Sequence, residues 1–323
     1  MARRIRTAVI PAGGVGTRML PASSAVPKEL LPVGRKPAIQ WAINEALDAG
    51  IEQILVISSS RKPSIAAYFF GNKRSEDLFG RSNRRRRGIL PNSQVRIVNQ
   101  PSARGLGDAV RIAHLALGAE PFALLLPDEI LLGGSRLLRV MLDDFERTGE
   151  SGISLLRVDP TMIEFYGCAQ VTPGPDDERL SVTACIEKPH PLTAPSYFAI
   201  SGRYVLGPDV LDLLDTVEAD ETGEVQLTTA LDLAASTGGL AGFVVREEDG
   251  RVDVGNWQGW QEANVRCFAD DAALETPVSV IDLQLTGRDV TDMQPAVASI
   301  FDKPPTSVIH PSDELNGHAG VAS

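Results

Sequence analysis

Residues 8–32 read AVIPAGGVGTRMLPASSAVPKELLP, and this stretch decides the fold. The apolar run 7–11, rich in Val and Ile, predicts a buried β-strand. It gives way at once to Gly13, Gly14 and Gly16, then to Thr17 and Arg18, with Lys28 and Glu29 further on. A strand that ends in glycines exposes backbone N–H groups and lets a phosphate approach the main chain with no Cβ in the way. Arg18 and Lys28 would add fixed positive charge for a polyphosphate. Two other phosphate loops are excluded. The P-loop spacing meets Arg18 after Gly13 and Pro21 after Gly16, and the dinucleotide fingerprint meets Met19 where its third glycine belongs. The plainer reading, that the glycines only turn the chain from strand to loop, stays open from this segment alone.

Working outward, residues 38–49 have helical spacing of apolar positions and stop at Gly50, a plausible C-cap. Residues 53–58 read as a buried strand, 62–70 as a helix opened by Pro63, 95–99 as a strand and 106–117 as a helix. Such alternation predicts a parallel, doubly wound sheet, whose ligands bind beyond the carboxyl ends of the strands, where the glycine loop lies. Residues 122–127 form an apolar run that ends in Asp128. Packing explains an acid there poorly, whereas a metal site explains it well. A helix over 137–148 and a strand over 152–158 follow. From 167 to 204 short β runs predict an antiparallel or mixed extension. Helices at 208–214 and 226–235, a strand at 240–245 and a helix at 257–272 complete the ordered pattern. Beyond about 282 the periodicity fades, and the last twenty or so residues have the composition of a disordered tail.

Composition narrows the function. The chain has 323 residues, enough for a substantial core, and a net charge of −11 that argues against a general nucleic-acid binder. The basic run Arg84–Arg87 reads as a solvated loop or as a contact for an acidic neighbour. Cys168, Cys185 and Cys267 form no C-x-x-C pair, so neither a zinc site nor a disulfide framework is expected. His114, His190, His310 and His318 make no triad or metal spacing. Trp41, Trp257 and Trp260 read as packing residues. No apolar run reaches membrane-spanning length, and no signal peptide is visible, so a cytoplasmic protein without a membrane partner is expected.

The strings GVGTRMLP and VPKELLP resemble the signature of sugar-1-phosphate nucleotidyltransferases. They are most similar to the branch of bacterial UTP–glucose-1-phosphate uridylyltransferases. The likeness continues through QPSARGLGDA at 100–109, LPD at 126–128, YG at 166–167, EKP at 187–189, APSYFAISGRY at 194–204, GEVQLT at 223–228 and DVGN at 253–256. The resemblance implies a Rossmann-like, doubly wound mixed α/β sheet of the nucleotide-diphospho-sugar transferase type, with a smaller β-rich sugar-binding extension. It places a catalytic domain over residues 1–275, with a sugar-side lobe at about 160–250, and a C-terminal extension over 276–323. The implied activity joins UTP to a sugar 1-phosphate, giving a UDP-sugar and pyrophosphate with Mg²⁺. By the same resemblance Arg18, Lys28, Asp128 and Lys188 are catalytic, and Asp128 and Asp253 hold the metal. Ala12, Gly13, Gly14, Gly16, Thr17, Gln100 and Gly105 meet the nucleotide. Gly167, Glu187, Lys188 and Ile200 meet the sugar phosphate. A homodimer or homotetramer is implied as well.

The chemistry suits these residues. In-line nucleotidyl transfer asks the protein for positioning and charge neutralisation rather than covalent help. Magnesium needs only one or two carboxylates, and a Gln amide can pair with the N3–H and a carbonyl of uracil or thymine. Four positions depart from the uridylyltransferase pattern. Ser24 stands where a lysine is usual, Tyr197 for an asparagine near the sugar, Thr229 for an acid, and Asp108 for a histidine. They leave a modified sugar or cyclitol 1-phosphate in place of glucose 1-phosphate as an alternative, and Gln100-Pro101-Ser102, which is similar to the thymidylyltransferase branch, leaves dTTP in place of UTP. A weakly active regulatory paralogue is the reading from another class. A dehydrogenase is disfavoured by the failed glycine fingerprint.

Overall fold

The structure, a computed structural model, describes residues 4–71, 94–118, 120–174 and 178–274, with side chains as far as 268. The Arg84–Arg87 run and the C-terminal tail lie outside the described residues. Met1–Asp271 group into one compact unit, to which the sheet and cavities below belong.

Strand β1 (Thr7–Ala12) lies inside a nine-stranded sheet, while the short strands β2 (Pro32–Val33) and β3 (Lys36–Pro37) pair only with each other. On one side it pairs in parallel with β4 (Gln53–Ser58), and β4 with β5 (Val95–Asn99). On the other side it pairs in parallel with β6 (Phe122–Leu125). The chain therefore reverses its direction of winding beside β1, which opens a crevice at the strands' carboxyl ends. Past β6 the sheet becomes mixed. β11 (Phe198–Leu206) is antiparallel to both β6 and β8 (Ser151–Arg157), and β12 (Leu240–Val244) is parallel to β8. The antiparallel pair β10 (Arg179–Glu187) and β9 (Gly167–Pro173) then continues the sheet beyond β12. The β-rich extension expected over 167–204 is thus built on the main sheet, and a single pairing of Ala199 with Cys168 draws β9 back to β11.

Period-two alternation sorts the central strands onto two cores. Val9, Leu55 and Ile57 face α3 (Gly105–Leu117), α5 (Pro208–Thr216) and α6 (Leu227–Ser236). Ala8, Ile10, Ile54 and Val56 face α1 (Ala38–Asp48), α2 (Pro63–Phe70) and α4 (Arg136–Thr148). Apolar burial on both faces explains why these strands read as continuous hydrophobic runs. α7 (Trp257–Leu274) packs Ala263 and Cys267 over Val33, Ile130, Val252 and Val254 in a small separate cluster. Trp260 Nε1 donates to Pro32 O at 2.8 Å and Trp257 Nε1 to Leu20 O at 3.3 Å, which ties this helix to the opening loop.

Three features carry no periodic signal and were not expected. The opening loop holds short 3₁₀ turns at Thr17–Met19, Ala22–Ser24 and Lys28–Leu30. The run 122–127 ends as a strand at Leu125: Leu126 N still donates to Gly202 O on β11, but Pro127 has no N–H with which to carry the ladder further. Beyond it, β7 (Glu129–Leu131) forms a two-stranded ribbon with β13 (Arg251–Asp253). All three cysteines are buried. No helix among the described residues is long and apolar enough to cross a membrane.

Candidate active site

Two cavities open at the carboxyl ends of β1 and β6, and Asp128 lines both. The larger, of about 440 Å³, is walled by Gly13, Gly14, Gly16 and Thr17 on one side and by Gln100, Gly105 and Glu224 on the other, with Lys28 beside Asp128. Ala12 does not line it; it is the last residue of β1, 1% exposed and packed in the core. Gly16 has φ 75°, a left-handed conformation that turns the chain into the Thr17–Met19 helix. The glycine loop thus curls back over the strand end, as an anion-binding loop requires.

At the far end of this cleft lies Gln100, only 4% exposed. Its Nε2 donates to Asp108 Oδ2 at 2.8 Å and, more weakly, to Gly105 O at 3.4 Å. Gly13 permits this placement, since a Cβ there would stand 2.3 Å from Gln100 Oε1.

Asp128 and Asp253, the two carboxylates expected to hold a metal, meet through the β7–β13 ribbon. Asp253 is the register partner of Glu129, and Val254 N donates to Asp128 O at 2.7 Å. A Cβ at Gly255 would lie 2.9 Å from Asp128 Oδ2, 2.9 Å from Asp253 Oδ1 and 3.2 Å from Arg18 Nη2. The missing side chain therefore leaves a small opening on which two carboxylate oxygens converge. Burial pushes the Asp253 carboxyl above its ordinary pKa, and the charges of Asp128 and Glu129 add to this, against the Gly255 N–H. Burial also pushes Asp128 up. There, however, the Lys28 charge and hydrogen bond, at 2.5 Å, prevail and hold the carboxyl below its ordinary value. Lys28 is the mirror case. Burial would lower its ammonium, but Asp128 outweighs that and raises it. Among the described residues no cluster of three or more His, Cys, Asp or Glu could cage a metal. A hard cation that keeps water and phosphate oxygens needs only this pair, so the donor set fits magnesium.

The second cavity, of about 210 Å³, shares Asp128 with the first and has Asp253 and Arg18 in its wall. Gly167, Glu187, Ile200 and Thr228 also line it. Gly167 and Glu187 are register partners on β9 and β10, and Glu187 Oε2 accepts a 2.6 Å hydrogen bond from Thr228 Oγ1. Lys188 comes next, with φ 43°, its N–H donating to Tyr166 O and its Nζ 3.3 Å from Glu187 Oε1. Tyr197, expected beside the sugar, is 49% exposed and does not line this cavity, and Thr229 is exposed as well. Ser24 is also exposed and bonds within its own turn, to Pro21 O. Thr228, Gln226 and Glu224 line the cavities although no role was assigned to them from the sequence. The string GEVQLT that contains them was the available signal.

Residues 7–269 match the nucleotidyl transferase family model. The UTP–glucose-1-phosphate uridylyltransferase of Mycoplasma genitalium is 38% identical over 274 residues, 82% of this chain and 92% of that protein. A UTP-bound UDP-glucose pyrophosphorylase from Acinetobacter baumannii superposes with a TM-score of 0.72 at 30% identity, covering 84% of this chain and 99% of that one. A UDP-glucose pyrophosphorylase complexed with UDP-glucose gives 0.71 at 27% identity, covering 82% and 99%. The chain belongs to the nucleotidyl transferase family, and the resemblance read outward from residues 8–32 is borne out.

Proposed function

We propose that the protein transfers the uridylyl group of UTP to glucose 1-phosphate, giving UDP-glucose and pyrophosphate. The observation that carries this is the convergence of Asp128 and Asp253 on one point over Gly255, between a nucleotide-sized cleft and a polar sugar-sized cavity. It is supported by relatives named for this activity and by related structures that hold UTP and UDP-glucose.

In this reading the glycine loop and Thr17 present backbone N–H groups to the triphosphate, and Lys28 neutralises it. Gln100 and Gly105 contact the base. Glu187 accepts hydrogen bonds from sugar hydroxyls, Ile200 packs against the ring, and Gly167 lets the ring close on the backbone. Lys188 holds the sugar phosphate, and Arg18, which lines the second cavity and not the first, is assigned to that phosphate instead of to the triphosphate. One of its oxygens attacks the α-phosphorus in line as the bond to the pyrophosphate oxygen breaks, so no proton and no covalent enzyme intermediate is required. Asp128 and Asp253 would hold Mg²⁺, which when bound offsets charge on the phosphate oxygens. Tyr197 and Thr229 do not line the sugar cavity, which favours glucose 1-phosphate over a modified sugar. We take the enzyme to be a cytoplasmic homo-oligomer, in keeping with the unbridged thiols of Cys168 and Cys185 and with the family resemblance.

The test is pyrophosphate release with glucose 1-phosphate, Mg²⁺ and each of UTP, dTTP, CTP, ATP and GTP. Release with UTP and loss of about 100-fold or more in Asp128→Asn and Asp253→Asn are expected. A metal supplies several kcal/mol of transition-state stabilisation, and each ~1.4 kcal/mol is tenfold. A faster rate with dTTP would make it a thymidylyltransferase, and no release with any of the five would refute the reading.

A further inference from the structure

The Gln100 amide is not free to choose its orientation. Its nitrogen faces two acceptors, the Asp108 carboxylate at 2.8 Å and the Gly105 carbonyl at 3.4 Å. Turned over, the amide would set its own oxygen against both, with no hydrogen to share. The oxygen is therefore fixed on the opposite side, against Gly13 at the wall of the cleft. No hydrogen bond to that oxygen forms among the described residues, and Gln100 lines the cleft, so the oxygen is open to a ligand there. What remains for a base is an acceptor only.

We infer that Asp108 is a positioning residue for base selection, locking the Gln100 amide so that the site takes a base with an N–H donor at position 3 and rejects one with a lone pair there. This rests on the reading of Gln100 as a base contact. Uracil carries N3–H and meets Gln100 Oε1 with a hydrogen bond. Cytosine carries an unprotonated N3, which would face Oε1 lone pair to lone pair. A free Gln could rotate and donate to cytosine instead, and Asp108 is what prevents the rotation. Thymine also carries N3–H, so this device separates UTP from CTP and leaves UTP and dTTP alike.

Asp108 also sits in the first turn of α3, where any acid complements the helix dipole. The experiment must therefore read selectivity rather than stability. In Asp108→Asn the new amide can face Gln100 with either its oxygen or its nitrogen, so both Gln100 orientations are allowed. The ratio of kcat/KM for UTP to that for CTP is expected to fall about tenfold or more, since a site that leaves a polar group mispaired discriminates by factors of this size or larger. The change should fall on KM for UTP rather than on KM for glucose 1-phosphate. Asp108→Ser, a smaller change that cannot span the gap, should lower the same ratio and serves if the Asn variant folds poorly. Gln100→Leu separates the levels. If it collapses the ratio while both Asp108 variants keep it, Gln100 reads the base unaided and the inference is overturned. If Gln100→Leu also keeps the ratio, the base contact beneath the inference is wrong.

Discussion

A methyl group at residue 13 would stand 2.3 Å from Gln100 Oε1, inside any normal contact. The obstacle is the end of a side chain and not backbone, so Gly13→Ala should fold normally and push the amide off its place. It is expected to lower kcat/KM for UTP about tenfold and leave thermal stability within roughly 1 kcal/mol, the ordinary range for a substitution that the surroundings can absorb. An unchanged rate would mean that Gln100 does not depend on that approach. Thr228 tests the other cavity. Its hydroxyl donates to Glu187 Oε2 at 2.6 Å, and a hydrogen bond to a charged group is worth roughly 1.5–3 kcal/mol. Thr228→Val should raise KM for glucose 1-phosphate about tenfold, at about 1.4 kcal/mol per factor of ten, and leave KM for UTP alone. An equal rise in both would assign Thr228 to support of the whole cleft rather than to Glu187.

The β7–β13 ribbon does at the level of elements what no single residue can: it brings Asp128 and Asp253 together from distant parts of the chain. Glu129 is buried at the end of the ribbon next to Asp253. Its Oε2 accepts from Arg251 Nε at 2.9 Å and from Ser201 Oγ at 2.7 Å. Arg251→Met should loosen the spacing of the two aspartates, and a supporting contact behind a metal ligand typically costs 10- to 100-fold in affinity when lost. The Mg²⁺ concentration for half-maximal rate is expected to rise by about that factor; an unaltered value would detach the ribbon from the metal site. Sequence reading reached the long elements within a residue or two at each end, since α1, β4 and β12 are apolar repeats that repeat their period several times. The ribbon was invisible for a physical reason. Its strands have three residues each, too few to show a period, and their meaning comes from pairing across 122 residues. Asp128 was legible as an acid at the end of an apolar run and Asp253 through the resemblance carried by DVGN, but the empty position over Gly255 on which both converge was not.

Across the whole molecule, one buried ion pair links the nucleotide half to the mixed half of the sheet. Arg203, on β11, is 1% exposed and reaches Glu45 on α1 with two hydrogen bonds, at 3.1 and 2.5 Å, while its Nη1 donates to Glu129 O at 2.6 Å. α1 packs on the face of the sheet below the glycine loop's strand, β11 lies beyond β6, and Glu129 O belongs to the turn that carries Asp128. Nothing in the string FAISGRYVL marks its arginine as buried, because a charge in a core strand is explained only by a partner 158 residues away. Arg203→Met should destabilise the protein by about 3–5 kcal/mol, the usual cost of leaving the other charge buried and alone. Glu45→Leu alone should cost a similar amount for the same reason. Combining the two removes both charges, so the double variant should be more stable than either single one, short of wild type by the lost bond to Glu129 O. Urea unfolding of the four proteins measures the coupling directly. If the two losses simply add, Arg203 and Glu45 are not coupled, and the junction between the halves must be held by apolar packing alone. If the double variant recovers stability but needs more Mg²⁺ than wild type, the bond to Glu129 O is what joins the core of the sheet to the position of Asp128.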